Sequence, residues 1–509
     1  MSPQVSGVGP RRSPRDGRWR RGVPSHRLSG RAAPDAGSGL ETSGGSGHPG
    51  RVTSTLASAK GTTTTAQPAG PRGLPLLGNL PAFARDPLAF FCRLRDEYGD
   101  WASWRLGPRP CLLISRPEEV NELLAGVEVT FSPSELGWAL HHVLGQGVVT
   151  STGDDWRRKR SLVQPSVRPR QVRSYAATMV ECADAVASSW RDGQRADVQQ
   201  EMTRLTQRVA VRTLFGVETA GREETIARAM AVAQQEIGAE LRGVTVFFPA
   251  WAPTPGRRRL RVAVAELDAE IHRIIEEHHA ARAAGEERDD LLSRLLAARD
   301  ETGAPLSDRE LRDEAVTLYI GGHETTSTTL TWAWHLLSGA PEARARLDAE
   351  LTEVLDGRLP TFDDYARLPF TQAVVKESLR LFPPIWLISA VAREGARLGG
   401  REVPTGTTVW TSQWSVHRDP RLYPEPDAFR PQRWDPDAPI PVPDHAWFPF
   451  GGGPRTCLGT RFALVEAALV LAVLAQRWRV ETDPGEVKPF TGLTLQPSSP
   501  IRATLRSRG

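Results

Sequence analysis

Cysteine is scarce in these 509 residues: Cys92, Cys111, Cys182 and Cys457 are the full set. No two stand in C-x-x-C spacing, which excludes a zinc ribbon and a thioredoxin-type dithiol. Scattered thiols fit a reducing compartment better than a disulfide scaffold. There is no Walker loop and no G-x-G-x-x-G after a strand, so a built-in nucleotide domain is not expected. G-x-S-x-G and H-E-x-x-H are missing too, which removes a serine-hydrolase elbow and a zincin site. No run reaches membrane-spanning length; the most apolar, Phe462 to Leu474, is too short and carries Glu466. The basic N-terminus lacks the apolar core of a secretory signal, so the sequence reads as that of a cytoplasmic protein.

What is present is ordinary for a globular chain: 39% hydrophobic and 24% charged residues, net charge +4. Much of the basic excess falls in residues 1–66, which are rich in Gly, Ser, Pro, Thr and Arg. That composition predicts a disordered tail. Its RRSPRDGRWRR cluster (Arg11 to Arg21) could bind nucleic acid or anionic lipid, but reads first as a solvated segment, because no folded basic motif accompanies it. Order is expected from residue 67 to 509 as one domain, mainly α with small β-sheets. DPLAFFCRLRDEYGD reads as an amphipathic helix, WASWRLGPRPCLLIS (Trp101 to Ser115) as a hairpin, and Ala396 to Trp410 as a second small sheet.

The stretch LSDRELRDEAVTLYIGGHETTSTTLTWAWHLLSGAP carries clear helix punctuation. Ser307 and Glu310 form a capping box, Leu306 and Leu311 a staple, and Gly339 and Pro341 the stop. Its centre, GGHETTSTT, is a poor helix former. One reading is that Gly321 and Gly322 make room for a flat ligand, with Glu324 and Thr325 beside it. The other is close helix packing with threonines bonded back to carbonyls. Elsewhere, Glu377 and Arg380 stand three apart on one helix, and FRPQRW (Phe429 to Trp434) reads as an extended segment presenting Arg433. Trp156 and Arg160 put two donors on one helix face. In FPFGGGPRTCLGTRF (Phe448 to Phe462), Cys457 follows three glycines and precedes a helix read from Leu458. The free N–H groups there are expected to lower its pKa.

Together these motifs resemble the cytochrome P-450 haem-thiolate monooxygenases of the soluble bacterial type, over residues 67–509. Phe450, Gly453, Arg455, Cys457 and Gly459 fit the family's F-x-x-G-x-R-x-C-x-G loop. Gly321 to Thr326 fit its oxygen-activation motif, Glu377 and Arg380 its E-x-x-R, and Trp156 and Arg160 its propionate helix. The resemblance implies that fold, with a long central helix over the haem, and haem b held by the Cys457 thiolate. It implies that Phe450 shields the sulfur, Gly321 gives the haem room and Gly459 opens the helix. Trp156, Arg160 and Arg455 would bind the propionates, and Glu324 and Thr325 would relay protons during oxygen activation. Glu377, Arg380 and Arg433 would form a structural triad. Where relatives often carry a basic propionate partner this chain has Ala390, with Arg393 as the candidate substitute.

The resemblance also implies O₂ and a hydrophobic small-molecule substrate, a terpenoid, fatty acid or polyketide. Trp138, Leu140, Phe248, Ile385 and Trp386 are the candidate contacts. Electrons would come from a separate ferredoxin and ferredoxin reductase, docking at Arg157, Arg158, Lys159 and Arg461. A monomer without nucleic-acid partners is expected. The rival readings are a peroxygenase or isomerase on the same scaffold, and a non-catalytic haem-binding sensor.

Overall fold

The computed structural model describes residues 68–134, 138–216, 222–242, 248 and 251–508. The tail expected over residues 1–66 lies outside the described residues. The longest described element is the central helix, Asp308–Ser338. Its capping box is formed, with the Ser307 hydroxyl accepting from Glu310 N–H and the Glu310 carboxylate accepting from Ser307 N–H. Leu306 and Leu311 are buried in the same core cluster, and Gly339 caps the far end. At 1.5 Å per residue the helix runs about 46 Å.

Its weak middle does not break. Thr325 Oγ1 donates to Gly321 O at 2.7 Å, Thr326 to Gly322 O at 3.0 Å, and Thr329 to Thr325 O at 2.8 Å. Each hydroxyl is thus satisfied one turn back, as mid-helix threonines commonly are. Gly321 nevertheless stands open, since a Cβ placed there would meet no atom within 4 Å. The threonines are back-bonded as the second reading expects, but Gly321 and Gly322 leave space and do not pack closely on a neighbour.

Around this axis pack the helices Val198–Phe215, Pro255–Ala283, Pro369–Leu381 and Thr460–Arg477. Every residue from Val465 to Ala475 is buried, which explains why that helix is apolar all round. The strands are short. One five-stranded sheet has the order Trp101–Leu106, Arg109–Ile114, Thr408–Thr411, Ile388–Ala392, Phe131–Pro133. Its first two strands are the expected hairpin, with Trp101 opposite Ile114. The second sheet expected over Ala396 to Trp410 is smaller than the sequence suggested. Only Arg397–Leu398 pairs with Arg401–Glu402, while Thr408–Thr411 joins the larger sheet, parallel to Arg109–Ile114. Its alternate residues Val409 and Thr411 are buried there, a pairing that local pattern cannot announce. A further hairpin, Pro489–Thr491 with Leu495–Pro497, lies near the C-terminus.

Glu377 and Arg380 are fully buried, not a surface pair. The Glu377 carboxylate accepts from Arg380 Nε and Nη2 at 2.9 and 2.8 Å, and from Arg433 Nε at 3.1 Å. It also accepts from Arg430 N–H and Trp434 Nε1, both at 3.0 Å. This convergence corrects the reading of Phe429 to Trp434 as wholly extended. Pro431–Trp434 is a 3-10 turn, which gathers donors onto one acceptor where alternating strand geometry would send them apart. Arg380 in turn donates to the carbonyls of His417, Pro426 and Ala428, at 2.8, 2.6 and 3.1 Å.

Removing one partner of such a pair strands a buried charge. Arg380→Ala is expected to lower unfolding free energy by about 3–5 kcal/mol in urea denaturation. A loss below about 1 kcal/mol, the range of exposed pairs, would contradict this account.

Candidate active site

The Cys457 loop is built by two reversals. Gly451 N–H donates to Phe448 O and Cys457 N–H to Phe450 O, both at 3.0 Å. Gly453 has φ +61, and a Cβ there would lie 2.1 Å from Leu124 O, so backbone angle and close approach both require glycine. Gly459 is N-cap of the helix Thr460–Arg477, which starts two residues later than the sequence suggested. A Cβ at Gly459 would meet Cys457 Sγ at an ordinary 3.9 Å.

Cys457 has open surface, yet protein encloses it at longer range, so that surface faces inward. Burial pushes its thiol pKa up, against the opposing Gly459 N–H, Thr460 hydroxyl and Arg160 charge. This reverses the expected lowering: desolvation of the anion outweighs one helix terminus and one partly buried cation. Phe450 is half-buried beside Trp447, ring centres 6.0 Å apart.

The three expected propionate groups come together. Arg160 Nη2 donates to Thr456 O at 2.8 Å, docking the helix Gly153–Val163 on the Cys loop. Trp156 lies beneath both guanidiniums, 4.7 Å from Arg455 and 5.8 Å from Arg160. Burial lowers the pKa of each arginine, although neither leaves the cationic range.

Arg455 also pairs with Glu128, Nε to Oε1 2.9 Å, a residue no motif singled out. Glu128 is buried at φ +74 and accepts from Gly153 N–H at 3.0 Å. Arg393 does not take the place of Ala390. It donates to Ser132 Oγ at 2.8 Å and to the carbonyls of Val129 and Glu128, at 3.1 and 3.4 Å. Ala390 itself is buried within its strand.

On the central helix, Gly321 is exposed and Thr325 half-buried, whereas Glu324 is buried and turned elsewhere. Its Oε1 accepts from Thr494 Oγ1 at 2.7 Å and Gln496 Nε2 at 3.0 Å. His323 is neutral, since burial pushes its pKa down to about 4. A cavity of about 270 Å³ lies against Glu324, walled by Ala231 and Gln235 on one side and Phe490, Leu493 and Gln496 on the other.

Among the described side chains, Leu140, Phe248, Ile385 and Trp386 do not line that cavity. Leu140 is core, Phe248 is exposed and Ile385 is half-buried. Trp386 belongs to an aromatic cluster with Phe91 and donates to Gly492 O at 3.4 Å. Trp138 opens the helix Trp138–Leu144, and its side chain lies outside the described residues. The hairpin was missed because three-residue strands separated by only Gly492, Leu493 and Thr494 carry almost no periodic signal.

The docking cations are also mostly committed. Lys159 is buried between Asp155 and Gln146 O, Arg158 pairs with Asp300 and Glu310, and Arg157 with Asp154. Arg461 is exposed, over the ring of Tyr365 at 4.9 Å.

Residues 68–505 match the family model described as "Cytochrome P450". The chain is a cytochrome P-450. It is 39% identical over 440 residues to cyclooctatin synthase of Streptomyces melanosporofaciens, covering 85% of this chain and 94% of that relative. It is 37% identical to cyclooctat-9-en-7-ol 5-monooxygenase of the same organism, over 82% and 90% of the two chains. Pentalenene oxygenase of Streptomyces avermitilis is 34% identical, over 86% and 97%.

The mainly helical fold with small sheets is that of the family, and the protein is a haem-thiolate monooxygenase that uses O₂ and redox partners. The residues fit the haem: an inward-opening sulfur, an unobstructed Gly321, and two guanidiniums around an indole. Among the described residues no helix of this P-450 is long and apolar enough to cross a membrane.

Two measurements follow from this geometry. Gly453→Ala is expected to fold with a distorted Cys loop and to retain well under half of the wild-type haem, read as the Soret-to-280-nm ratio. Glu466, fully buried against the Thr326 hydroxyl, is pushed by burial to about 8. Its unfolded value is about 4.3, so the folded protein keeps a proton the unfolded chain has lost. Stability from this group is complete below the unfolded value and is lost as pH rises through about 8. Glu466→Gln should therefore flatten the fall in Tm between about pH 5 and 8.

Proposed function

We propose that Cys457 is the axial thiolate of haem b and that this P-450 hydroxylates a cyclic terpenoid. The carrying observation is the Cys457 sulfur, which opens inward from a loop whose glycine is demanded by Leu124. When bound, the thiolate-ligated iron supplies oxygen activation, because the electron-rich sulfur favours O–O cleavage. Arg160, Arg455 and the Trp156 indole bind the propionates, with Glu128 fixing the Arg455 fork. Phe450 shields the sulfur from water, which tunes its basicity.

Thr325 holds a proton at Oγ1, given at rest to Gly321 O, and Glu324 is the acid that replenishes it. Phe490 and Leu493 give the cavity an apolar wall, while Gln235 offers a carboxamide. Such a wall suits a hydrocarbon skeleton bearing an oxygen. The relatives' names, an alkenol monooxygenase and pentalenene oxygenase, support a terpenoid. Electrons come from a ferredoxin and its reductase, the ferredoxin docking on the face that presents Arg461. The enzyme works as a cytoplasmic monomer.

Carbon monoxide added to the reduced protein should move the Soret band to about 450 nm, and Cys457→Ala should abolish that band. A folded, reduced protein without it would overturn the ligand assignment. Incubation of cyclic terpene hydrocarbons and alcohols with ferredoxin, reductase and NADPH should give hydroxylated products. Equal turnover with hydrogen peroxide alone would instead favour a peroxygenase.

A further inference from the structure

The hydrogen bonds of Glu324 set it apart from the rest of the central helix. Successive helix residues point about 100° apart, so Glu324 and Thr325 address different spaces. Thr325 shares the open face with Gly321, while the Glu324 carboxylate is buried against the C-terminal hairpin. Two donors converge on its Oε1: Thr494 Oγ1, itself 2% exposed, at 2.7 Å, and Gln496 Nε2 at 3.0 Å. Gln496 is held from its other end, its Oε1 accepting from Gln199 Nε2 at 3.4 Å.

The hairpin is itself fastened. Trp332 Nε1 donates to Leu495 O at 2.9 Å, Leu495 N–H donates to Pro384 O at 2.9 Å, and Trp386 Nε1 reaches Gly492 O. Leu495, between the two donors, is therefore tied to the central helix and to the turn after Arg380. A pair of donors, one buried and one held from its far end, fixes both the direction of a carboxylate and its proton affinity, since bonds to the charged form favour it.

We propose that Thr494 and Gln496 are positioning residues for Glu324, setting the direction and proton affinity of the carboxylate that supplies Thr325. The proposal rests on the reading of Glu324 as proton donor. The two donors lie some 170 residues from Glu324 in the chain and belong to no motif found in the sequence. They act through Glu324 and do not touch the reacting atoms.

The test uses the holoenzyme in five variants, Thr494→Val, Thr494→Ser, Gln496→Leu, Glu324→Gln and Glu324→Leu, with the Thr494→Val/Glu324→Leu double. Urea unfolding of the set forms a double-mutant cycle. Thr494→Val should raise the unfolding constant about tenfold in the wild-type background and less than about twofold beside Glu324→Leu, which removes the acceptor oxygen that Glu324→Gln would keep. The second readout is oxygen consumption with saturating ferredoxin, reductase and NADPH, followed against pH.

Losing a donor favours the protonated acid, so the limb belonging to Glu324 should move upward by about half a pH unit in Thr494→Val and Gln496→Leu. Thr494→Ser should restore it, and Glu324→Gln should remove it. An additive cycle, or a limb unmoved in both donor variants, overturns the positioning role while leaving Glu324 as relay. A profile unaltered by Glu324→Gln removes the relay itself, and the positioning role with it.

Discussion

One buried anion organises the approach to the sulfur. The Glu377 carboxylate, with no contact to solvent, is neutralised by Arg380 and Arg433 and collects N–H groups from Arg430 and Trp434. Arg380 spends its remaining donors on the carbonyls of His417, Pro426 and Ala428. Chain from 417 to 434 is thus tied to a single point on the helix Pro369–Leu381. The Cys457 loop continues from that anchored stretch. Trp434 meets Trp447, and Trp447 meets Phe450, which passes the anchoring on to the loop as ring packing. An ion pair of this kind need not add net stability, but its geometry leaves the stretch few alternatives.

What could be read before the fold was known was local. The Ser307–Glu310 box, the Gly339 stop, the Trp101–Ser115 hairpin and the spacing around Cys457 each depend on residues a few positions apart. What could not be read depends on partners far along the chain. Arg393 looked free to replace a missing cation at Ala390, yet it closes the turn at 128–132. Lys159 looked like a surface charge, yet it is buried and held by Gln146 O. Glu128 was invisible because nothing near it in sequence announces Arg455, 327 positions away.

The electrostatics carry the same lesson. A helix N-terminus beside Cys457 suggested an acidic thiol, but the enclosing protein decides the sign, and it opposes the anion. His323 and Glu466 are neutral by the same effect, so the core beside the open face of the central helix carries few bare charges. Glu324 differs in its contacts, with two donors on its Oε1.

The hairpin at 489–497 does two jobs with one short piece of chain. Phe490, Leu493 and Gln496 wall the cavity, while Thr494 and Gln496 grip the acid behind it. On the proposed roles of the cavity and of Glu324, substrate range and electron economy are inherited together. Any drift of these residues toward a new substrate would then also retune how cleanly reducing equivalents end in product, so that selection for one property would be selection on the other.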